Sequence, residues 1–216
     1  MSNNIIYNTY FNKFKFAVNE YDYVILCDEI ENGLENEMLQ ILMKKYKSLG
    51  LYGKAYIYMK SIPKYITKLT LDFKKYNTIN FNNLHDGLIT LNISNNNGGN
   101  FNNSISNLPN TLRELTIISN TFSQTLDLLP VSLKYFQLVI FSTTNLKFNN
   151  LPHNLEHFEL LTLYKKMSIN SPCLIQLANF NTLPANIKKV IIDKSLLTPE
   201  TLCHLKKKYN DIVKLT

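Results

Sequence analysis

Apolar and polar positions alternate in short bursts along this chain, and the bursts recur. A ten-residue pattern, L-P-x-x-L-x-x-L-x-L, reads I-P-K-Y-I-T-K-L-T-L from Ile62, L-H-D-G-L-I-T-L-N-I from Leu84 and L-P-N-T-L-R-E-L-T-I from Leu108. It continues as L-P-V-S-L-K-Y-F-Q-L from Leu129, L-P-H-N-L-E-H-F-E-L from Leu151 and L-P-A-N-I-K-K-V-I-I from Leu183. Successive starts lie 22, 24, 21, 22 and 32 residues apart. A period of 20–29 residues is that of leucine-rich repeats.

The L-x-L end of the motif alternates with period two and predicts a short strand. In the third copy Leu115 and Ile117 face one way, while Glu114, Thr116 and Ile118 face the other. Strands spaced in this way can lie parallel and in register, so that their apolar positions stack into one core. Each buried Leu or Ile contributes about 1.5–3 kcal/mol, and a single repeat has too few of them to fold alone. Proline at the second position (Pro63, Pro109, Pro130, Pro152, Pro184) suits a chain turning into a strand, because its φ is fixed and it has no N–H. A further apolar slot lies three residues ahead of each motif, at Met59, Phe81, Ile105, Leu126, Phe148 and Phe180, and another lies seven ahead at Phe101 and Phe122. The fold class expected is an α/β solenoid. In detail it is a leucine-rich-repeat-like right-handed solenoid, with a parallel β-sheet on its concave face and a largely irregular convex side.

F-N-N-S-I-S-N-L-P from Phe101 and F-S-Q-T-L-D-L-L-P from Phe122 align without a gap. These segments resemble the FNIP-repeat family of leucine-rich-repeat proteins, whose unit runs F-N-x-P-I-x-x-L-P-x-x-L-x-x-L-x-L. The resemblance covers about residues 55–195. It implies a protein-interaction scaffold of the kind abundant in slime moulds and giant amoebal viruses. The family's proline is Ser104 or Thr125 here, and its aromatic slot is Asn77, Thr144 or Gln176 in other copies. The Asn of the general leucine-rich pattern recurs only at Asn96 and Asn120, with Lys74, Phe141, Leu163 or Ser195 elsewhere.

Residues 55–195 are thus expected to carry six repeats between helix-containing caps, which solenoids need where core would otherwise be exposed. In the N-terminal cap, 1–54, Phe14, Phe16 and Val18 and then Tyr21, Tyr23 and Ile25 suggest paired strands. Leu34, Met38, Ile41, Leu42 and Leu49 predict a helix at about 34–48, followed by strand-like Tyr56-Ile57-Tyr58. In the C-terminal cap, 196–216, Thr198 and Pro199 open a helix at about 199–208 with Leu202 and Leu205 inward, and Ile212 to Leu215 forms an edge strand. Leu34 to Tyr46 also partly resembles the first helix of an F-box, implying a ubiquitin-ligase substrate adaptor as an alternative. The family's Pro is Glu35 here.

Composition changes the picture in two ways. The chain favours Asn, Lys, Ile, Tyr and Phe, uses Arg only at Arg113 and has no Trp, which points to an AT-rich genome. A net charge of +7 built almost wholly from Lys follows from that codon bias. Nucleic-acid surfaces usually mix Arg with Lys, so a Lys-driven nucleic-acid binder is only an alternative. Cys27, Cys173 and Cys203 stand at unrelated spacings, as free thiols in a reducing compartment do. No secretory signal or long apolar run is visible, so a cytoplasmic protein with no membrane partner is expected, in the host cytoplasm if viral.

No catalytic constellation, metal site or cofactor motif is found. His85, His153, His157 and His204 lie in separate motifs or turns, and Gly98-Gly99 reads as a surface turn. The expected function is therefore non-enzymatic protein binding through the concave face. The alternation rule arranges that face in columns: Lys68, Thr90, Glu114, Tyr135, His157, Lys189; then Thr70, Asn92, Thr116, Gln137, Glu159, Ile191; then Asp72, Ser94, Ile118, Val139, Leu161, Asp193. The partner-binding patch expected on it comprises Tyr135, Val139, His157 and Leu161 ringed by Glu114, Gln137 and Glu159. The longest interval carries an insertion within Tyr164 to Gln176, with Lys165, Lys166 and Cys173, as a second candidate surface. A monomer or an edge-paired homodimer is compatible with this organisation.

Overall fold

The computed structural model describes residues 16–18, 24–26, 33–72, 81–94, 101–140, 146, 150–162 and 183–216. Every copy of the motif forms a strand at its L-x-L end. With three strands ahead of them and one behind, the order is β1 (Phe16–Val18), β2 (Val24–Leu26), β3 (Ser48–Tyr52), β4 (Lys68–Asp72), β5 (Thr90–Ser94), β6 (Glu114–Ser119), β7 (Tyr135–Ile140), β8 (His157–Thr162), β9 (Lys189–Ile192) and β10 (Val213–Leu215). All lie in one sheet in chain order. The β1–β2 pair is antiparallel, and every later pair is parallel.

Register follows the motif residue for residue. Leu69, Leu91, Leu115, Phe136, Phe158 and Val190 form one row, and Leu71, Ile93, Ile117, Leu138, Leu160 and Ile192 form the next. Both rows are fully buried in a single apolar cluster. The preceding slots join them: Phe101 and Phe122 stack at 6.0 Å, Phe81 meets Phe101 edge-on at 6.1 Å, and Ile105 and Leu126 are buried beside them. The side chain of Met59, and residues Phe148 and Phe180, lie outside the described set.

The turn into each strand explains the proline. The carbonyl at that position accepts the N–H three residues on, as in Leu112 to Pro109 (3.1 Å), Leu133 to Pro130 (3.1 Å) and Leu155 to Pro152 (3.0 Å). Only the acceptor is used, so the lost donor costs nothing. His85 fills the slot once, with Leu88 donating to its carbonyl at 3.2 Å, while its ring Nδ1 accepts from the Gly87 N–H. The residue before each strand then offers its carbonyl to two N–H groups of the next repeat. Lys134 and Tyr135 donate to Arg113 in this way, and Glu156 and His157 to Lys134.

A side-chain ladder runs through the same turns. Thr111 donates to the Leu88 carbonyl, Ser132 to Leu112, Asn154 to Val131 and Asn186 to His153. These residues all occupy the fourth motif position, not the post-strand slot of the general leucine-rich pattern, where Asn recurs only at Asn96 and Asn120 and no continuous Asn ladder was expected. Of that slot, Asn96 lies outside the described residues.

The N-terminal end corrects several expectations. The helix α1 is Glu37–Tyr46, after a 3-10 turn at Gly33–Glu35, and Asn36 caps it by accepting from Leu39 N. Leu39 and Met43 face the core with Leu34, whereas Met38 is 40% and Ile41 is 62% exposed. Leu49 belongs to β3, which pairs with β4 along its whole length, so the sheet runs across the expected cap boundary at residue 54. Tyr56-Ile57-Tyr58 lies in a 3-10 stretch, Gly53–Ser61, not a strand. In β2 it is Val24 and Leu26 that join the core, while Ile25 stands on the opposite face next to Gly50. At the other end α2, Pro199–Lys208, is capped by Thr198 with Leu205 buried and Leu202 half-buried, and β10 lies beside β9 as expected.

Candidate partner-binding face of the sheet

Side chains between the buried rows stand on the opposite face of the sheet, and the strand register aligns the expected columns. Lys68, Thr90, Glu114, Tyr135, His157 and Lys189 are successive partners, as are Thr70, Asn92, Thr116, Gln137, Glu159 and Ile191. Asp72, Ser94, Ile118, Val139 and Leu161 align in the third column, but Asp193, expected to complete it, lies past the end of β9. β3 extends the face with Ser48, Gly50 and Tyr52. A Cβ on Gly50 would lie 2.8 Å from the Tyr52 ring edge and 3.6 Å from Ile25 Cγ1, so these two side chains close over the glycine.

Polar side chains at the centre of the face hold one another. Thr90 Oγ1 donates to Glu114 Oε2 at 3.0 Å, and Gln137 Nε2 donates to Glu159 Oε2 at 2.7 Å. The Tyr135 hydroxyl also bonds to Glu159. Burial foremost, then the charge and hydrogen bond of Glu159 and the charge of Glu114, push that phenol up to about 12. Tyr135 therefore stays a neutral donor, with its ring tilted 54° against His157 at 6.4 Å.

Of the seven residues expected to bind a partner, Glu114 is exposed, and Tyr135, Gln137, His157, Glu159 and Leu161 are half-buried. Val139 is the correction. It is only 6% exposed, standing between Ile118 and Leu161 on the neighbouring strands, so it offers little surface. The large apolar side chains most exposed among the described residues are Met38, Ile41, Leu128 and Val131, none of them on this face.

The columns missed one site. At the N-terminal ends of β7, β8 and β9 lies a cleft of about 500 Å³, lined by Lys134, Glu156 and Lys188 with Asn154 and Asn186. Glu156 accepts from Lys134 Nζ at 3.0 Å and from Lys188 Nζ, and these bonds hold its carboxyl down to about 2. Arg113, Lys134, Glu156 and Lys188 occupy one motif slot, just before the strand. Reading that slot as a column, like the strand positions, would have found the alternation of charge.

The chain matches no protein-family model, no curated protein and no solved structure. Among the described residues no helix is long and apolar enough to cross a membrane, and no three His, Cys, Asp or Glu side chains are grouped to hold a metal ion. Cys203 is an exposed free thiol. Cys27, Cys173, Gly98-Gly99 and the insertion at Tyr164 to Gln176 lie outside the described residues.

Proposed function

We propose that the chain is a leucine-rich-repeat solenoid of the type its FNIP-like motifs suggest. On this reading it acts without catalysis, as a cytoplasmic protein-binding scaffold, through the solvent-facing side of its sheet. One observation carries the reading: the parallel register sets Glu114, Tyr135, Gln137, His157, Glu159 and Leu161 side by side on adjacent strands. Groups mounted on strands are held more firmly than groups on loops, so binding costs less ordering entropy. The half-buried aromatic and apolar members supply contact area, and the oriented polar members supply selectivity. Face positions of β5 to β8 include no Lys or Arg, which favours a protein over a phosphate backbone as the ligand.

The test is affinity purification with Tyr135→Asp/Leu161→Asp beside the parent chain, circular dichroism confirming that both are folded. Loss of the captured partner in the double variant is expected. An unchanged set of captured proteins would refute the reading.

A further inference from the structure

Glu114 and Glu159 are both held by neutral donors: Glu114 by the Thr90 hydroxyl, Glu159 by the Gln137 amide and the Tyr135 phenol. Glu156 is ion-paired with Lys134 and Lys188, whereas neither Glu114 nor Glu159 forms an ion pair with a Lys or Arg among the described residues. Glu156, one residue before His157, shows how readily this chain supplies lysines where a carboxylate is to be neutralised. The chain holds 23 Lys and Arg against 16 Asp and Glu, yet none of that surplus stands on the face between β5 and β8. The centre of the face is thus acidic on a basic protein.

Its geometry suits a cation. Adjacent strands are about 4.8 Å apart, so the strands bearing Glu114 and Glu159 are separated by about 10 Å across β7. Glu114 pairs with Tyr135 and Glu159 with Gln137, so the two carboxylates flank Tyr135 on a diagonal. A guanidinium or ammonium group entering over the tyrosine ring would meet a π face and a carboxylate on either side. The planar guanidinium can use both contacts at once. Because neutral neighbours already orient the carboxylates, little side-chain entropy remains to be lost on binding. Ile118 and Leu161, in the third column, offer apolar contact to the neighbouring residue of an extended ligand.

We propose, on the scaffold reading above, that this face docks a basic, extended segment of a partner protein, seating an Arg or Lys side chain over Tyr135 between Glu114 and Glu159. The experiment is calorimetric titration of the full chain at low salt with a nona-arginine peptide, with nona-glutamate as the control. Nona-arginine is expected to bind and nona-glutamate not. Glu114→Gln/Glu159→Gln is expected to weaken nona-arginine by about tenfold or more. Glu37→Gln/Glu200→Gln removes the same charge from exposed first turns of α1 and α2 and is expected to change binding by no more than roughly twofold.

Equal weakening by the two pairs, or no binding of nona-arginine, overturns the proposal. Concentration-dependent self-association abolished by Glu114→Gln/Glu159→Gln would make the occupant the exposed Lys206-Lys207-Lys208 end of a second copy, and overturns it too. If Tyr135→Asp/Leu161→Asp loses its cellular partner while the Gln pair leaves nona-arginine unaffected, the scaffold reading stands and this one falls. Unchanged capture by Tyr135→Asp/Leu161→Asp removes both.

Discussion

Ser132 donates its hydroxyl to the Leu112 carbonyl 2.7 Å away, one repeat earlier in the chain. Thr111, Asn154 and Asn186 do the same from the equivalent position, so in these four copies a polar residue at the fourth motif position ties the turn to the one before it. Ser132→Ala removes the donor from the carbonyl of the buried Leu112, at a cost of about 1 kcal/mol. Ser132→Thr keeps the hydroxyl, as Thr111 does, and is expected to retain parental stability. Urea denaturation that ranks the two variants equally would sink this role.

Gly87 occupies the same motif position, and there a Cβ would lie 2.8 Å from the Lys64 carbonyl oxygen. The obstacle is backbone, so Gly87→Ala must push two turns apart and is expected to cost roughly 1–3 kcal/mol. In Gly50→Ala the nearest atom is the edge of the Tyr52 side chain, not backbone, and the change is expected to stay within about 0.5 kcal/mol. Thermal melts of the two variants check the contrast. Equal loss in both would contradict it.

Lys47 ends α1 in the left-handed region, at φ 52°, with its N–H bonded to Met43 O. Its carbonyl also receives the N–H groups of Thr67 and Lys68, so the conformation is needed to start the ladder of turns. A side chain there is strained where glycine is not. Lys47→Gly is expected to stabilise the protein by about 0.5–1 kcal/mol, read as a higher denaturation midpoint. A lower midpoint would show that the strain is absent.

Glu156 gives stability a pH dependence. Its carboxyl lies at about 2 in the fold against 4.5 as its ordinary value, chiefly through the hydrogen bonds from Lys188 and Lys134. A depressed carboxylate contributes stability that is present above about pH 4.5 and lost as pH falls toward 2. Melting temperatures of the parent chain are expected to fall more steeply than those of Glu156→Gln between these values at low salt. The gap should close at about 1 M salt, since the pair is exposed and screened. Parallel curves at low salt would rule out the contribution.

Much of the sheet was legible from the motif because its period and its alternation are local properties. Once Leu115 and Ile117 point inward, residues at the same motif positions in other copies must do so too if strands pair in register. At the N-terminal end that redundancy fails. Met38, Leu39, Ile41, Leu42 and Met43 are apolar all around α1, so spacing alone admits two faces, and packing chose Leu39 and Met43. Leu49 continued the helical spacing but lies beyond the left-handed turn at Lys47, which starts β3.

The sequence by itself determined which side chains line each face of the central sheet, the order of its strands and the turn that each motif proline opens. These follow from a repeat in which each copy repeats the instructions of the last. The tertiary structure alone decided that Val139 is buried between Ile118 and Leu161, that Glu156 is clamped by Lys134 and Lys188, and that Glu114 and Glu159 are held without an ion pair. Each of those outcomes depends on groups about 20 to 30 residues apart that meet across neighbouring strands. The repeat aligns the positions, but only the packed sheet shows which side chains standing there reach one another.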